Sequence, residues 1–311
     1  MRCRWAVVLL LALAACRHSS SSGSGSEPAH WAKAGPAPVA ATLTYPLELS
    51  IGGGRVWVVA SNRDVMLLDR GKPRIVKSLG WVSAIAADEE GAWIAAHDEL
   101  GGKTSALWRL LPDADPIRVA EDVTYVAPAG AAIVIWRTGG AFVREPSGAE
   151  HPLGAIEGRI RAVGDTLYVG DRRGVISRMP LAGGPLEQVA DFGALVVSFD
   201  VAGDTIYAST DRGIYTMSTR GGPRQMLAEH LDDPREVVAD GEGGVYVLTY
   251  GTTSGLWGHS TNDDGELLHI DRNRKITALA SDIIGAGRIA LTKDTVYATD
   301  VYGGRLLAVP R

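Results

Sequence analysis

Cysteine is almost absent from this 311-residue chain, which has only Cys3 and Cys16. Everything after Cys16 therefore lacks the thiols needed for a disulfide or a thiolate metal site. Clusters of lysine and arginine are absent as well, and the formal net charge is −5. A mildly acidic chain without basic patches is not expected to bind nucleic acid.

A long hydrophobic run is also missing. The apolar stretch from Trp5 to Ala15 follows a basic leader and is too short to cross a bilayer, so it has the form of a secretion signal. Its end, Leu13-Ala14-Ala15-Cys16, resembles the bacterial lipoprotein cleavage box, in which the cysteine receives lipid. Residues 1–15 are thus predicted to be a lipoprotein signal peptide and Cys16 the lipidation site. A plain signal peptide with an incidental cysteine is the alternative.

A serine- and glycine-rich tract follows at residues 19–26. Such a tract cannot bury a core, and we expect residues 16–38 to carry the lipid and act as a flexible tether. Several acyl chains together would anchor the protein on a membrane. Arg17 follows the cysteine in place of the aspartate that retains lipoproteins at the inner membrane in enteric bacteria. The expected location is therefore the bacterial envelope or periplasm, with the outer membrane preferred.

The chain does contain a short pattern that recurs seven times: a turn, then an apolar strand with an aromatic residue near its start. The positions of that aromatic residue, which we call the anchors, are on average 40 residues apart. A repeat of this length built only of strands is typical of a β-propeller blade. The anchors are Trp57, Trp93, Val134, Tyr168, Tyr207, Tyr246 and Tyr297.

We predict an all-β fold, a seven-bladed β-propeller over residues 39–311. Six blades are the alternative, because the third copy has Val134 where the others have an aromatic residue. After the strand Arg305 to Val309 the last unit has no residues left for a fourth strand. A strand-like run at Val39 to Thr44 precedes the first unit, and we expect it to complete the last blade and close the ring.

The units resemble those of the NHL-repeat and quinoprotein-like propeller superfamilies. An inner strand ends in aspartate, as at Asp88 and Asp240, and the sequence Gly-x-Val/Ile-Tyr/Trp-Val follows. The resemblance covers the mature domain and implies architecture only. The chain lacks the Gly-His and Trp-Asp pair of WD40 repeats, the paired glycines of kelch repeats and the tryptophan-docking repeat of pyrroloquinoline quinone propellers. No cofactor is predicted.

The sixth repeat has an unusually long loop between its second and third strands, from Tyr250 to Asp264. Such loops are usually functional or disordered, and propellers usually bind on the face to which this loop belongs. A lid that only shelters the channel mouth is the alternative. Clustered oxygen ligands near Asp263 would suit calcium, but the bidentate glutamate of a calcium loop is missing, so no metal site is predicted. The candidate binding residues of this loop are Tyr250, Trp257, His259 and Asp263.

Arginines recur in the corresponding turns of other blades, and Arg172 and Arg212 are further binding candidates. A ring of guanidinium groups could hold carboxylates or phosphates. Solvated turns paired with neighbouring aspartates are the alternative. The histidines show no metal-ligand spacing, and neither a nucleophile elbow nor a phosphate-binding glycine loop occurs. No catalytic residue is predicted.

The interpretation we prefer is a membrane-anchored, extracytoplasmic propeller that acts as a binding or scaffolding module. Its partner would be an unidentified protein or small-molecule ligand on one propeller face, and it would catalyse nothing itself. The alternative is a hydrolase or lyase of the propeller lactonase kind, with a metal over the central channel. Such an enzyme needs several Asp, Glu, Asn or His side chains that converge on the axis, and the spacing in this sequence identifies no such set.

Overall fold

The structure is a computed structural model. It describes residues 31–36, 38–69, 71–100, 102–211, 213–250 and 265–311. These residues form β-strands and connecting turns, with no helix among them. The described part of the chain therefore contains no helix that could span a membrane.

The described residues form 28 strands. In chain order they are β1 (Val39–Thr42), β2 (Pro46–Gly52), β3 (Arg55–Ala60), β4 (Asp64–Asp69), β5 (Lys72–Ser78), β6 (Trp81–Ala87), β7 (Ala92–His97), β8 (Ser105–Leu110), β9 (Ile117–Glu121), β10 (Val123–Ala129), β11 (Ala132–Arg137), β12 (Gly140–Arg144), β13 (Glu150–Gly154), β14 (Arg159–Val163), β15 (Thr166–Gly170), β16 (Val175–Pro180), β17 (Glu187–Asp191), β18 (Val196–Ala202), β19 (Thr205–Thr210), β20 (Gly213–Ser218), β21 (Gln225–Glu229), β22 (Pro234–Ala239), β23 (Val245–Thr249), β24 (Gly265–Ile270), β25 (Ile276–Ile283), β26 (Ala286–Leu291), β27 (Thr295–Asp300) and β28 (Arg305–Pro310).

The strands form seven four-stranded antiparallel sheets, which are the blades of a propeller. Blades one to six take four consecutive strands each, beginning with β2, β6, β10, β14, β18 and β22. The first strand of each blade is its inner strand. The third repeat, with Val134 in β11, forms a complete blade from β10 to β13. The seven-bladed prediction is confirmed, and the six-bladed alternative is wrong.

Blade seven closes the ring with the N-terminal strand, as predicted. Its order is β1-β28-β27-β26, so β1 is the outermost strand although it comes first in the chain. Val39 lies opposite Leu307, and Thr42 lies opposite Arg305. This pairing satisfies the edge of β28 with backbone hydrogen bonds and joins the two ends of the ring.

Apolar clusters between neighbouring blades form the core. One cluster joins Trp57 and Val59 of blade one to Ile94 of blade two, and all three are fully buried. The aspartate at the end of an inner strand fixes the following turn: Asp88 Oδ1 accepts hydrogen bonds from the backbone N–H groups of Glu90 and Gly91, both at 2.9 Å. The repeated Asp and the anchor are therefore structural features of the blade.

The residues just before β1 contact blades six and seven. The indole N–H of Trp31 donates to Glu266 Oε2 at 2.8 Å, and Pro36 forms a parallel bridge with Ser281. The backbone N–H of Ala308 donates to the carbonyl of Pro38 at 3.0 Å. The predicted tether segment thus contacts the propeller from Trp31 onward. The division at residues 15 and 38 stays a prediction.

Candidate functional site in the central channel

The inner strands of the seven blades surround a central channel with a cavity of about 580 Å³. Pockets that bind small molecules typically measure about 300–1,000 Å³. Residues from all seven inner strands line the cavity, among them Glu48, Ile85, Tyr125, Arg159, Asp200, Glu236 and Arg288.

Two positions recur in every inner strand. The second level is the residue paired with the anchor, and the first level is the residue two places earlier in the strand. The first level lies at the end of the blade where the second strand joins the third. First-level residues are Glu48, Ala84, Tyr125, Arg159, Ser198, Glu236 and Arg288. Second-level residues are Ser50, Ala86, Ala127, Arg161, Asp200, Val238 and Ala290.

Glu236 is the centre of a charged network at the first level. Its Oε2 accepts from Nη1 of Arg159 at 2.9 Å and from Nη1 of Arg288 at 3.3 Å. Its Oε1 accepts from Nη2 of Arg161 at 3.2 Å. The carboxylate is buried, and its three partners come from blades four and seven. One side chain of blade six therefore links three blades across the channel.

Two further carboxylates extend the network. Arg288 donates from Nε and Nη2 to the two carboxylate oxygens of Glu48 in blade one, at 3.2 and 3.0 Å. Arg161 Nε lies 3.4 Å from Asp200 Oδ1 in blade five. Asp200 Oδ2 also accepts from the backbone N–H of Ala239 at 2.8 Å. We call the set Glu48, Arg159, Arg161, Asp200, Glu236 and Arg288 the channel network.

The arginines of the channel network are more accessible than its carboxylates. The exposed fraction of the side chain is 40% for Arg159 and 34% for Arg161. It is 22% for Glu48, 19% for Asp200 and 3% for Glu236. The network contains three positive and three negative groups, yet the part that a solute meets in the cavity is mainly guanidinium.

The surroundings shift the pKa values of two carboxyl groups in opposite directions. Burial opposes ionisation of Glu236, but the guanidinium groups of Arg288, Arg159 and Arg161 outweigh it and hold the pKa below 4.5. Burial dominates at Asp200 and raises its pKa above 3.8, although Arg161 acts against the rise. Glu236 therefore stays ionised in the network, whereas Asp200 takes up a proton more readily than an exposed aspartate does.

Tyr125 contributes an aromatic group to the channel from blade three. Its ring meets that of Trp136 edge to face, with 5.2 Å between the ring centres. Trp136 is fixed by a hydrogen bond from its indole N–H to the carbonyl of Ile156 at 3.1 Å. Burial and the charge of Glu48 raise the pKa of Tyr125 above 10. The phenol thus stays neutral at pH 7 and can both donate and accept a hydrogen bond.

Of the binding residues predicted from the sequence, the structure describes Tyr250 and Arg172, and neither is among the described residues that line this cavity. Tyr250 follows β23, its backbone N–H donates to the carbonyl of Asp233 at 3.2 Å, and its ring lies 5.3 Å from the Arg235 guanidinium. Arg172 is exposed in the turn after β15. Their roles in binding stay predictions. The candidates Cys16, Arg212, Trp257, His259 and Asp263 lie outside the described residues.

The channel network was not predicted from the sequence. A partial signal was present: charged residues interrupt inner strands that are otherwise apolar, and outside blade six they do so at the same two distances from the anchor. Arg161 lies opposite Tyr168, and Asp200 lies opposite Tyr207. Aligning the inner strands on the anchors would have collected these residues, apart from Glu236, into two rings.

A second cavity, of about 400 Å³, lies beside blade six and contains a histidine–aspartate pair. His269 Nε2 lies 2.8 Å from Asp240 Oδ2, and the imidazole stacks on Tyr246 with 4.7 Å between ring centres. Blade two has the same arrangement at equivalent positions: Arg109 donates to Asp88 at 2.7 and 2.9 Å and lies 4.6 Å from the Trp93 ring. The pair therefore belongs to the blade architecture.

Within the described ranges, no three His, Cys, Asp or Glu side chains are placed to hold a metal ion together. No protein-family model matches the sequence. A search of curated proteins finds no match either.

The solved structures that are similar to this chain include two that we compare with it. Virginiamycin B lyase from Staphylococcus aureus is 11% identical, with a TM-score of 0.64 over 87% of this chain and 97% of that chain. The computationally designed Ika8 protein is 13% identical, with a TM-score of 0.54 over 88% of this chain and 99% of that chain. The likeness shows the fold alone, and it agrees with the propeller architecture that the sequence resemblance implies.

Proposed function

We propose that the protein is a binding module whose central channel takes a small anionic ligand. The observation that carries this proposal is the unequal accessibility of the channel network: all three residues line the cavity, but the Arg159 and Arg161 side chains are far more exposed than that of Glu236. A ligand that enters the cavity of about 580 Å³ meets these two guanidinium groups.

The donors of Arg159 support the proposal. Among the described residues, its hydrogen bonds to Glu236 and Ser198 both use Nη1, at 2.9 and 3.3 Å. Its Nε and Nη2 groups are thus available to a ligand. A guanidinium edge with two parallel N–H groups matches the two oxygens of a carboxylate or phosphate. Glu236 fixes the other edge, so little side-chain freedom is lost when an anion binds.

The cellular setting of the binding module is also a proposal. The Leu13 to Cys16 box supports a lipid-anchored protein of the bacterial envelope, with the propeller outside the cytoplasm. Cys16→Ser is expected to abolish incorporation of a fatty-acid analogue and to release the protein from the membrane fraction. Labelling that survives the substitution would refute the anchor. The enzymatic alternative stays a prediction, since the likeness to a lyase is one of fold.

Anion binding can be tested with the purified full-length protein and a panel of probes: octanoate, succinate and inorganic phosphate. A ligand that binds only the folded state raises the free energy of unfolding by RT ln(1 + [L]/Kd), and the melting temperature rises as a result. We expect at least one probe to bind by calorimetry and Arg159→Gln to weaken it tenfold or more, because a charge-assisted hydrogen-bond pair is lost.

Arg118→Gln is the matched control. Arg118 has a side-chain exposure of 41% and an ion pair with Glu121, close to the 40% of Arg159, but it lies on β9, the outermost strand of blade two. Its replacement should leave anion binding unchanged. If no probe binds the wild type, or if both variants bind equally well, the channel is not an anion site.

A further inference from the structure

The channel has an apolar part as well as a charged part. Leu49, Ile85 and Val126 line the cavity between the two levels on blades one, two and three. Beyond the second level, Ile51, Pro128 and Leu291 continue the lining. Blades one, three and seven thus give the channel a wall that is largely hydrocarbon, while both arginines of blade four lie on another side.

The part of the apolar wall beyond the second level is accessible from the cavity, whereas Leu49, Ile85 and Val126 are buried. Pro128 is exposed, and Ile51, Ala290 and Leu291 are only partly buried. Apolar side chains left in contact with water inside a cavity favour a ligand that covers them. A hydrophilic anion would leave this wall wet and would gain nothing from it.

The length of the apolar wall sets the shape of the ligand. Leu291 is three residues beyond Arg288 along β26, so the wall extends about 10 Å from the first level, at 3.3 Å per residue. Tyr125 and Trp136 add aromatic surface near the charged end. A carboxylate at Arg159 and a chain or ring system along blades one, three and seven would fill both parts of the channel.

Resting on the proposed function, we propose that the ligand is an amphipathic monocarboxylate, whose carboxylate binds Arg159 and Arg161 and whose apolar body lies along Ile51, Pro128 and Leu291. A second carboxylate on the ligand would face the apolar wall and lose its hydration without a partner.

The test uses acetate, butyrate, hexanoate and octanoate as probes in calorimetry with the full-length protein. Affinity should rise about fourfold per methylene, which corresponds to the transfer free energy of a CH₂ group. Octanoate should bind more tightly than succinate and inorganic phosphate, and Arg159→Gln should weaken octanoate tenfold or more. Octanol, which has a similar chain and no charge, should bind at least tenfold more weakly than octanoate.

A variant of the apolar wall gives a second measurement. Ile51→Thr keeps a β-branched residue in β2 and should weaken octanoate severalfold while leaving acetate unchanged. Ile75→Thr is the control, because Ile75 is 55% exposed on β5, the outermost strand of blade one. The chain-length series on the wild type needs no variant, so the test survives a folding defect in Ile51→Thr.

The outcomes separate the two proposals. Tighter binding of succinate or phosphate than of octanoate, with loss in Arg159→Gln, would overturn the amphipathic ligand and leave the anion site intact. An affinity that does not change from acetate to octanoate would also overturn the amphipathic ligand and leave the anion site intact. Failure of every probe to bind would overturn both proposals. Octanoate binding that Arg159→Gln does not weaken would also overturn both, since the carboxylate would not lie at the arginines.

Discussion

Blades two and four place opposite chemistry at the same two positions of the channel. Blade four has Arg159 and Arg161 at the first and second levels, whereas blade two has Ala84 and Ala86. Both alanines are buried in an apolar cluster shared with blade three. The backbone register relative to the anchor is the same in the two blades. A small apolar residue at these positions is therefore compatible with the blade, so the blade geometry alone does not require the arginines of blade four.

The neighbours of blade four explain how it tolerates two charges near the axis. Blade five supplies Asp200, and blade six supplies Glu236, so every guanidinium has a carboxylate from another blade. In blade two the alanines instead pack against Val123 and Val126 of blade three. Charge at the channel is thus a property of a group of blades. A single repeat does not determine it.

The largest effect on stability should come from removing Glu236, the carboxylate that the three arginines of the channel network share. Glu236→Ala leaves Arg159, Arg161 and Arg288 without their shared partner, and breaking a buried ion pair from one side costs about 3–5 kcal/mol. We expect a loss of about 3 kcal/mol in the free energy of unfolding, because the arginines retain some access to water. Urea titration measures it.

Glu121→Ala is the control for this loss. Glu121 forms an exposed pair with Arg118, and such pairs contribute about 0.2–1 kcal/mol. Equal losses in the two variants would show that the channel network does not stabilise the ring.

The pH dependence of this stabilisation follows from the lowered pKa of Glu236. Its contribution is present above about pH 4.5 and is lost as the pH falls through the lower pKa of the folded state, so the gap between wild type and Glu236→Gln should close on acidification.

The sequence predicted the fold well because the repeat carries it locally. The pattern predicts a strand from Arg305 to Val309, and β28 runs from Arg305 to Pro310. The missing fourth strand of the last unit predicts closure by the chain start, and β1 pairs with β28. These features depend on period-2 patterning and turn residues within about 40 residues of chain.

The channel network was not predicted, because its members come from five different blades. Glu48 and Arg288 are 240 residues apart in the chain and form two hydrogen bonds. No motif spacing relates them, since the ring brings them together only after it closes. The long loop that begins at Tyr250 was predicted as a binding site because its length departs from that of the same loop in the other repeats. The inner-strand charges keep the repeat length, so they gave no such signal.

The smallest effect should come from Asp200, and its sign should be opposite to that of Glu236. Burial raises the pKa of Asp200, so the folded protein binds a proton there more readily than the unfolded chain. Stability then falls as the pH rises from 3.8 through the higher pKa of the folded state. Asp200→Asn removes the ionisable group, and the new side-chain oxygen can still accept from the Ala239 N–H. We expect the free energy of unfolding of Asp200→Asn at pH 7 to be about 0.5–1 kcal/mol higher than that of the wild type, a typical gain for one stabilising substitution. The difference should vanish below pH 4.

Asp204→Asn is the control, because Asp204 is an exposed residue of the same blade. A larger loss of stability at pH 7 in Asp200→Asn than in Asp204→Asn would mean that Arg161 holds the carboxylate ionised, and blade five would then stabilise the arginines of blade four by charge in the same way as blade six.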